Sequence, residues 1–313
     1  MKALLKKWIT GSSIPQEYLC LGARDCYLPF SVFIRSSPFT SRIEVTHNHY
    51  FLGYKPLIIG ISVRTGDSLL NDEIQMDFCF GNEEVVATLQ LKRFQNKFLG
   101  DTNILFYRGI DGRHHFISPI YQKANAFFDS LKQKSPNNVD LPGNLYDQVR
   151  IAYCIPRLIS LITVFDGSRM NLFPTDLHGA LGNDFYLSSL RIGGEACGQV
   201  DRLRRIVISE IDKGQFKLAY GLGKRHMQPM TDRSSFHLEE AVSANFGFPL
   251  PAEVGVYREL EYFDHFDVSI HRIFIYRTVN ATVIKNIDPL THVHRYYAQW
   301  RENRKLETHY LFR

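Results

Sequence analysis

The sequence predicts a mainly β protein with short helices, of the α+β class, laid out in two successive parts. Three observations predict it. Runs rich in Val, Ile, Phe and Thr recur along the chain, separated by glycine, proline, serine and asparagine. Helical periodicity is confined to a few short segments. Lys134 to Asn144, KSPNNVDLPGN, clusters proline, glycine and asparagine as a linker does, which puts a boundary near residue 140. The chain has 313 residues. At about 150 residues per domain, two domains are expected, 1–140 and 141–313, each with its own core.

In the first part, Tyr27 to Ile34, Arg42 to Thr46, Pro56 to Val63, Ile74 to Phe80 and Glu84 to Arg93 have strand composition. Turn signals fall at Ser36-Ser37-Pro38, Thr65-Gly66-Asp67 and Gly81-Asn82. Asn103 to Tyr107 and His115 to Ser118 read as two further short strands. Ile120, Ala124, Phe127, Phe128 and Leu131 then recur at the spacing of an amphipathic helix over Pro119 to Lys132.

The second part opens on its most informative stretch. Arg157 to Phe165 is an apolar, β-branched run of strand length, Asp166-Gly167 is a turn signal, and Asn171 to Thr175 continues into a second extended segment. Tyr186 to Leu190 reads as a third strand ending at Arg191. Gly193-Gly194 follows, then a helical pattern with Ala196, Val200 and Leu203 on one face. Free amides at a helix start, the positive end of its dipole and the Arg191 guanidinium together suit a phosphate. Farther on, Phe216 to Leu222 and Phe236 to Phe246 read as short helices, the second with Ser234-Ser235 as caps. Tyr257 to Phe263 and Ser269 to Val283 read as long strands, with alternation clearest at Ile270, Arg272, Phe274 and Tyr276. The tail from His292 mixes aromatic and basic residues, as a dimer contact or a cover for a barrel edge would.

Over about residues 150 to 285 this order of motifs resembles the flavin reductase-like family, whose domain is the FMN-binding split barrel. The resemblance rests on the strand Leu161 to Val164, the turn with Gly167 and Asn171, the polar extended segment Phe173 to His178, Ser188 to Arg191, the helix from Ala196 to Val200, and Arg205 to Ile211. ELEYFDHFDVSIHRIFIYRTV is similar to the family's late hairpin. The resemblance implies an FMN-binding split-barrel C-terminal domain preceded by a β-rich N-terminal domain. It implies that Asn171, Phe173, Pro174, Thr175, Asp176, Leu177 and His178 cradle the ring, with Ser188, Ser189, Arg191, Gly193 and Gly194 toward the phosphate. It also implies a homodimer, and an oxidoreductase that takes reduced nicotinamide, NAD(P)H, as donor. The sequence departs from the pattern at Ala196, where the family has a phosphate-side Thr, and at Tyr276, where it has Gly. A split barrel without cofactor, in a binding or structural role, is the alternative.

Composition is consistent with either reading. The 44% hydrophobic and 22% charged residues are ordinary for a globular protein, and 37 basic against 32 acidic residues give a net charge of +5. That is too small to indicate a nucleic-acid surface. Five widely spaced cysteines, Cys20, Cys26, Cys79, Cys154 and Cys197, read as reduced thiols, and no signal-peptide core or membrane span is legible, so a cytoplasmic protein is expected. The pairs His47/His49, His114/His115 and His292/His294 lack the further ligands that a metal site needs. No G-x-S-x-G elbow, G-x-G-x-x-G turn or phosphate-binding G-x-x-x-x-G-K-[ST] loop is present, so hydrolase, dinucleotide-fold and P-loop chemistry have no support. A flavin would carry the redox step itself, so no acid–base dyad is needed in the sequence.

Overall fold

A computed structural model describes residues 16–24, 30–35, 42–64, 71–81, 84–131 and 139–306, with side chains of 126–131 excepted. Residues 27–29, the turns at Ser36–Pro38 and Thr65–Asp67, Asn82, Cys26, residues 134–138 of the linker and the last seven residues lie outside the described residues. So do the side chains of Phe127, Phe128 and Leu131.

The first part contributes β1 (Tyr18–Gly22), β2 (Phe30–Arg35), β3 (Ile43–Glu44), β4 (His49–Tyr54), β5 (Leu57–Arg64), β6 (Glu73–Phe80), β7 (Glu84–Leu99) and β8 (Thr102–His114). All but β1 form a seven-stranded antiparallel sheet in the order β3-β2-β6-β7-β8-β5-β4. The short strand expected at 103–107 is part of the longer β8, which ends at His114, and 115–118 is not a strand. Pairing against the whole length of β7 carries β8 through Gly109 and Gly112, where the sequence pattern breaks. Helices Pro119–Leu131 and Leu145–Ala152 follow.

Side chains alternate across this sheet, and along β4 and the neighbouring stretches of β5 and β8 both faces are buried. Phe51, Leu57, Ile59, Ile61, Leu105 and Tyr107 point to one side, into a core completed by Val149, Ile151 and Tyr153 of the second helix region and by Tyr296, Tyr297 and Trp300 near the C-terminus. Tyr50, Leu52, Ile58, Ile104 and Phe106 point to the other.

That other side meets the second part of the chain, whose strands are β9 (Arg157–Leu158), β10 (Ser160–Phe165), β11 (Arg169–Thr175), β12 (His178–Leu181), β13 (Phe185–Arg191), β14 (Arg205–Ile211), β15 (Thr231–Asp232), β16 (Leu238–Val242), β17 (Pro249–Pro251), β18 (Val254–Val268) and β19 (His271–Val283). Eight of these pair in the order β12-β13-β19-β18-β14-β10-β11-β15. Ile162, Val164, Phe173, Tyr186, Leu190, Ile206, Ile208, Leu260, Phe274 and Tyr276, drawn from six strands, meet in one cluster. The sheet is therefore curled into a barrel. Helix Glu195–Leu203 adds Ala196, Cys197 and Val200 to the cluster. The seam stays open, because β12 and β11 follow one another in sequence but do not pair.

The outward residues Leu187, Ile273 and Ile275 pack on Tyr50, Leu52, Ile58 and Phe106 of the first sheet. Gly179 shows how close this approach is: a Cβ there would come within 2.6 Å of the Tyr50 ring. A third, small sheet in the order β1-β20-β9 uses β20 (Leu290–His294) to tie the chain's beginning and end to the barrel.

Two further expectations need correction. Phe236 to Phe246 is not a helix: Leu238–Val242 is β16, paired with β17, and Glu259 of β18 accepts the amides of Asn245 (2.8 Å) and Phe246 (2.6 Å). Tertiary bonding outweighs the helix propensity of its Glu239, Glu240 and Ala241. The tail is also neither an edge cover nor an exposed surface up to residue 301, since helix Arg295–Asn303 buries Tyr296, Tyr297, Ala298 and Trp300 in the first sheet's core.

The core of the first sheet thus includes side chains from both sides of residue 140. A single proteolytic cut at Pro142-Gly143 should leave both fragments co-eluting on gel filtration without denaturant. Elution as two separate species would show that the shared cores do not hold them.

Candidate functional site

Strand parity sorts the residues that the sequence singled out. Asn171, Phe173 and Ser188 face the barrel interior and are fully buried. Asn171 Nδ2 donates to Gln199 Oε1 (2.9 Å), Arg225 O (3.0 Å) and Gln228 O (3.2 Å), while its Oδ1 accepts from Leu172 N (2.9 Å). Its side chain fastens the 222–228 turn to the barrel. Ser188 is bonded to the Tyr276 hydroxyl at 3.0 Å, so the departure at Tyr276 has a partner inside the barrel. Leu177 is buried in the first sheet's core.

Pro174, Thr175 and Asp176 instead form one wall of a cleft of about 190 Å³. Ile159, Ala219, Tyr220, Gly223 and His292 complete its lining. Here β11 leaves the barrel at the open seam, between the small sheet and the turn region after helix Phe216–Gly221. Asp176 Oδ2 accepts from His292 Nε2 (2.8 Å) and from the Tyr153 hydroxyl (2.6 Å). Burial on its own would raise this carboxyl, but those two bonds and the neighbouring imidazoles hold it below its ordinary range. His178 lies behind it, with Nδ1 accepting from Tyr186 OH (2.7 Å) and Nε2 donating to Leu158 O (3.2 Å).

Ser189 and Arg191 face outward, toward the first sheet. Tyr54 N–H donates to His271 Nε2 at 3.2 Å, leaving the proton on Nδ1, which lies 3.4 Å from Ser189 Oγ. The Tyr54 ring stands edge-on to His271, with centroids 4.5 Å apart. Burial raises the Tyr54 phenol; Arg191 lowers it and Asp176 raises it, so both charges reach this one side chain. Tyr54 carries no signal in the sequence because it belongs to the other sheet. Arg191 is half-buried and has no carboxylate partner among the described residues. Gly194 is buried at the start of helix Glu195–Leu203, and its N–H is already bonded to Arg191 O at 2.9 Å. A Cβ at Gly194 would lie 3.1 Å from His226 O, whereas one at Gly193 would meet nothing. The phosphate cradle expected here therefore offers the Arg191 guanidinium and the Gly193 side of the turn, not the Gly194 amide.

Among the described residues, no cluster of three His, Cys, Asp or Glu side chains has the geometry to hold a metal. His292 and His294 diverge onto separate carboxylates, Asp176 and Glu17 (3.6 Å). No helix among the described residues is long and apolar enough to cross a membrane. Cys20, Cys79, Cys154 and Cys197 are buried thiols.

No protein-family model matches the chain, and no curated protein does. Several solved structures match about half of it. Its structural neighbours are flavin reductases and FMN-binding proteins. The FMN-binding protein from Thermus thermophilus with bound p-hydroxybenzaldehyde is 20% identical, over 49% of this chain and 82% of that one, with a TM-score of 0.39. A Streptomyces globisporus NADH:FAD oxidoreductase is 17% identical, over 50% and 94%, with a TM-score of 0.42. The flavin reductase component of a bacterial two-component tryptophan halogenase is 18% identical, over 48% and 92%, also at 0.42.

Two predictions test the packing around the site. Replacing Asn171 with Ala removes the amide that ties Gln199 and the 222–228 turn to the barrel and leaves buried Gln199 Oε1 without its donor, which should cost about 1–3 kcal/mol, read from urea unfolding; an unchanged midpoint would dismiss the Asn171 bonds as a fastening. The second concerns buried imidazoles. Burial lowers His49 from 6.5 to about 3, and His178, His271 and His294 to about 4. Since the unfolded chain binds these protons first, the stability they confer is present above pH 6.5 and lost as pH falls toward 4. Each imidazole should contribute a slope of about 1.4 kcal/mol per pH unit in that window. A flat stability profile between pH 6.5 and 4.5 would contradict the burial.

Proposed function

We propose that the protein is a flavin-binding, flavin reductase-like oxidoreductase that takes FMN, with reduced nicotinamide as its electron donor. The observation that carries this reading is the placement of Pro174, Thr175 and Asp176: the segment that the sequence resemblance assigns to the ring lines the cleft. The fit can be judged from the residues themselves. Ile159, Pro174 and Ala219 are apolar walls for a planar ring, Asp176 and His292 provide one polar spot, and half-buried Arg191 is a cation lacking a carboxylate. At about 190 Å³ the cleft is below the usual roughly 300–1,000 Å³ of small-molecule pockets. A ring that entered it would leave the chain and phosphate outside, and Arg191, which is not part of the lining, would be their cation. The flavin would supply the hydride chemistry, and the protein would position it.

The homodimer implied by the resemblance would have to use another surface than the outer face of β13 and β19, which the chain's own first sheet covers. A split barrel that has lost its cofactor is the second reading, favoured by the interior commitments of Asn171, Phe173 and Ser188.

Titration with FMN and with riboflavin, followed by flavin fluorescence, separates the two. Arg191→Ala should weaken FMN binding about 10- to 100-fold, the loss of one charge-assisted contact, and riboflavin binding much less. Equal losses for both ligands would remove Arg191 from the phosphate. A wild-type protein that binds neither flavin would establish the cofactor-free reading.

A further inference from the structure

His292 is held more tightly than a surface imidazole needs to be. Its strand β20 is paired on both sides, with His292 opposite Cys20 of β1 and Arg157 of β9. Its ring stacks on Tyr18 (centroids 5.7 Å apart, planes at 29°) and meets Tyr153 edge-on (5.1 Å, 88°). The Nε2 position is fixed by Asp176 Oδ2 at 2.8 Å, and the same oxygen is fixed by the Tyr153 hydroxyl at 2.6 Å. A carboxylate can only accept there, so Nε2 carries a proton, and in the neutral imidazole Nδ1 then keeps its lone pair. His292 lines the cleft, and Nδ1 has no protein partner among the described residues. The hydroxyl of Thr175, also in the lining, is itself in contact with Leu177 N at 3.4 Å.

The cleft therefore presents, in the neutral imidazole, a hydrogen-bond acceptor of fixed tautomer beside the apolar Ile159, Pro174 and Ala219. Such an acceptor selects for a ligand that brings a donor, because a ligand without one leaves Nδ1 dry and unpaired. We propose that His292 Nδ1 reads a ring N–H of the bound ligand, of the cyclic imide kind that a flavin ring carries between two carbonyls, and that Asp176 is the positioning residue that sets the tautomer. This rests on the flavin reading above and adds to it the edge by which the ring enters.

The test compares the dissociation constants of FMN and of FMN methylated at the imide nitrogen. Wild-type protein should bind the methylated form about 10-fold or more weakly, the loss of one hydrogen bond with its acceptor left buried. His292→Phe retains the stack on Tyr18 but has no acceptor, so it should lose this discrimination. Asp176→Asn can present an N–H to Nε2 and return the proton to Nδ1, and should shrink the discrimination with the imidazole still in place. Equal binding of the two forms by wild type overturns the inference and leaves the flavin reading standing. Discrimination that survives His292→Phe also overturns it. Binding of neither form overturns both.

Discussion

The constraint on which the structure depends is that the seven-stranded sheet has no solvent face along His49–Gly53 of β4, Leu57–Ile61 of β5 and Asn103–Tyr107 of β8. Consecutive residues there, Leu57 against Ile58 or Leu105 against Phe106, enter different cores. Continuous apolar runs are the consequence, of the kind seen in strands covered on both sides. One core is completed by the helices after residue 144 and at the C-terminus, and the other by the barrel. Neither can form until distant segments of the chain arrive. The tie is reinforced by β20, which places residues 290–294 between β1 and β9.

This shared burial decides where a site can be. On the barrel's outer surface, β13 and β19 lie beneath Tyr50 and Phe106, and the Gly179–Tyr50 contact leaves no room for a ligand between them. Accessible space remains where the barrel's seam is open, at the turn from β11 into β12. Asp176 occupies that turn. Its carboxylate gathers a hydroxyl from Tyr153 and an imidazole from β20, so three segments far apart in sequence converge on one oxygen. At Tyr54 of the first sheet the influence of Arg191 meets that of Asp176.

Much of the barrel was legible in the sequence because its strands pair locally. The hairpin β10–β11 closes on Asp166, whose Oδ1 accepts the amides of Ser168 (2.9 Å) and Arg169 (2.7 Å), and the Asp-Gly signal marks that turn. The long β18–β19 pair extends its alternation from Val256 to Val283. What was not legible depended on partners outside the local window. The segment 236–246 has helix formers but takes its shape from Glu259, and helix 295–303 is amphipathic only with respect to a sheet more than 180 residues upstream.

Parity sets the remaining limit on reading the site. A motif spanning consecutive strand residues cannot point them all one way: Ser188 is inside the barrel with Tyr276, and Ser189 outside it with His271. A ligand that used one could not touch the other without breaking the sheet. The same reasoning divides Phe173, which is interior, from Pro174 at the cleft. The segment opens to the cleft on both Pro174 and Thr175 because β11 ends there and alternation ceases to apply. Side chains that line the cleft from β11 therefore sit at its end. His292 and His294, which look like one motif in sequence, are consequently two unrelated contacts: His292 serves the cleft through Asp176, and His294 caps the last helix by accepting from Tyr296 N–H at 3.2 Å.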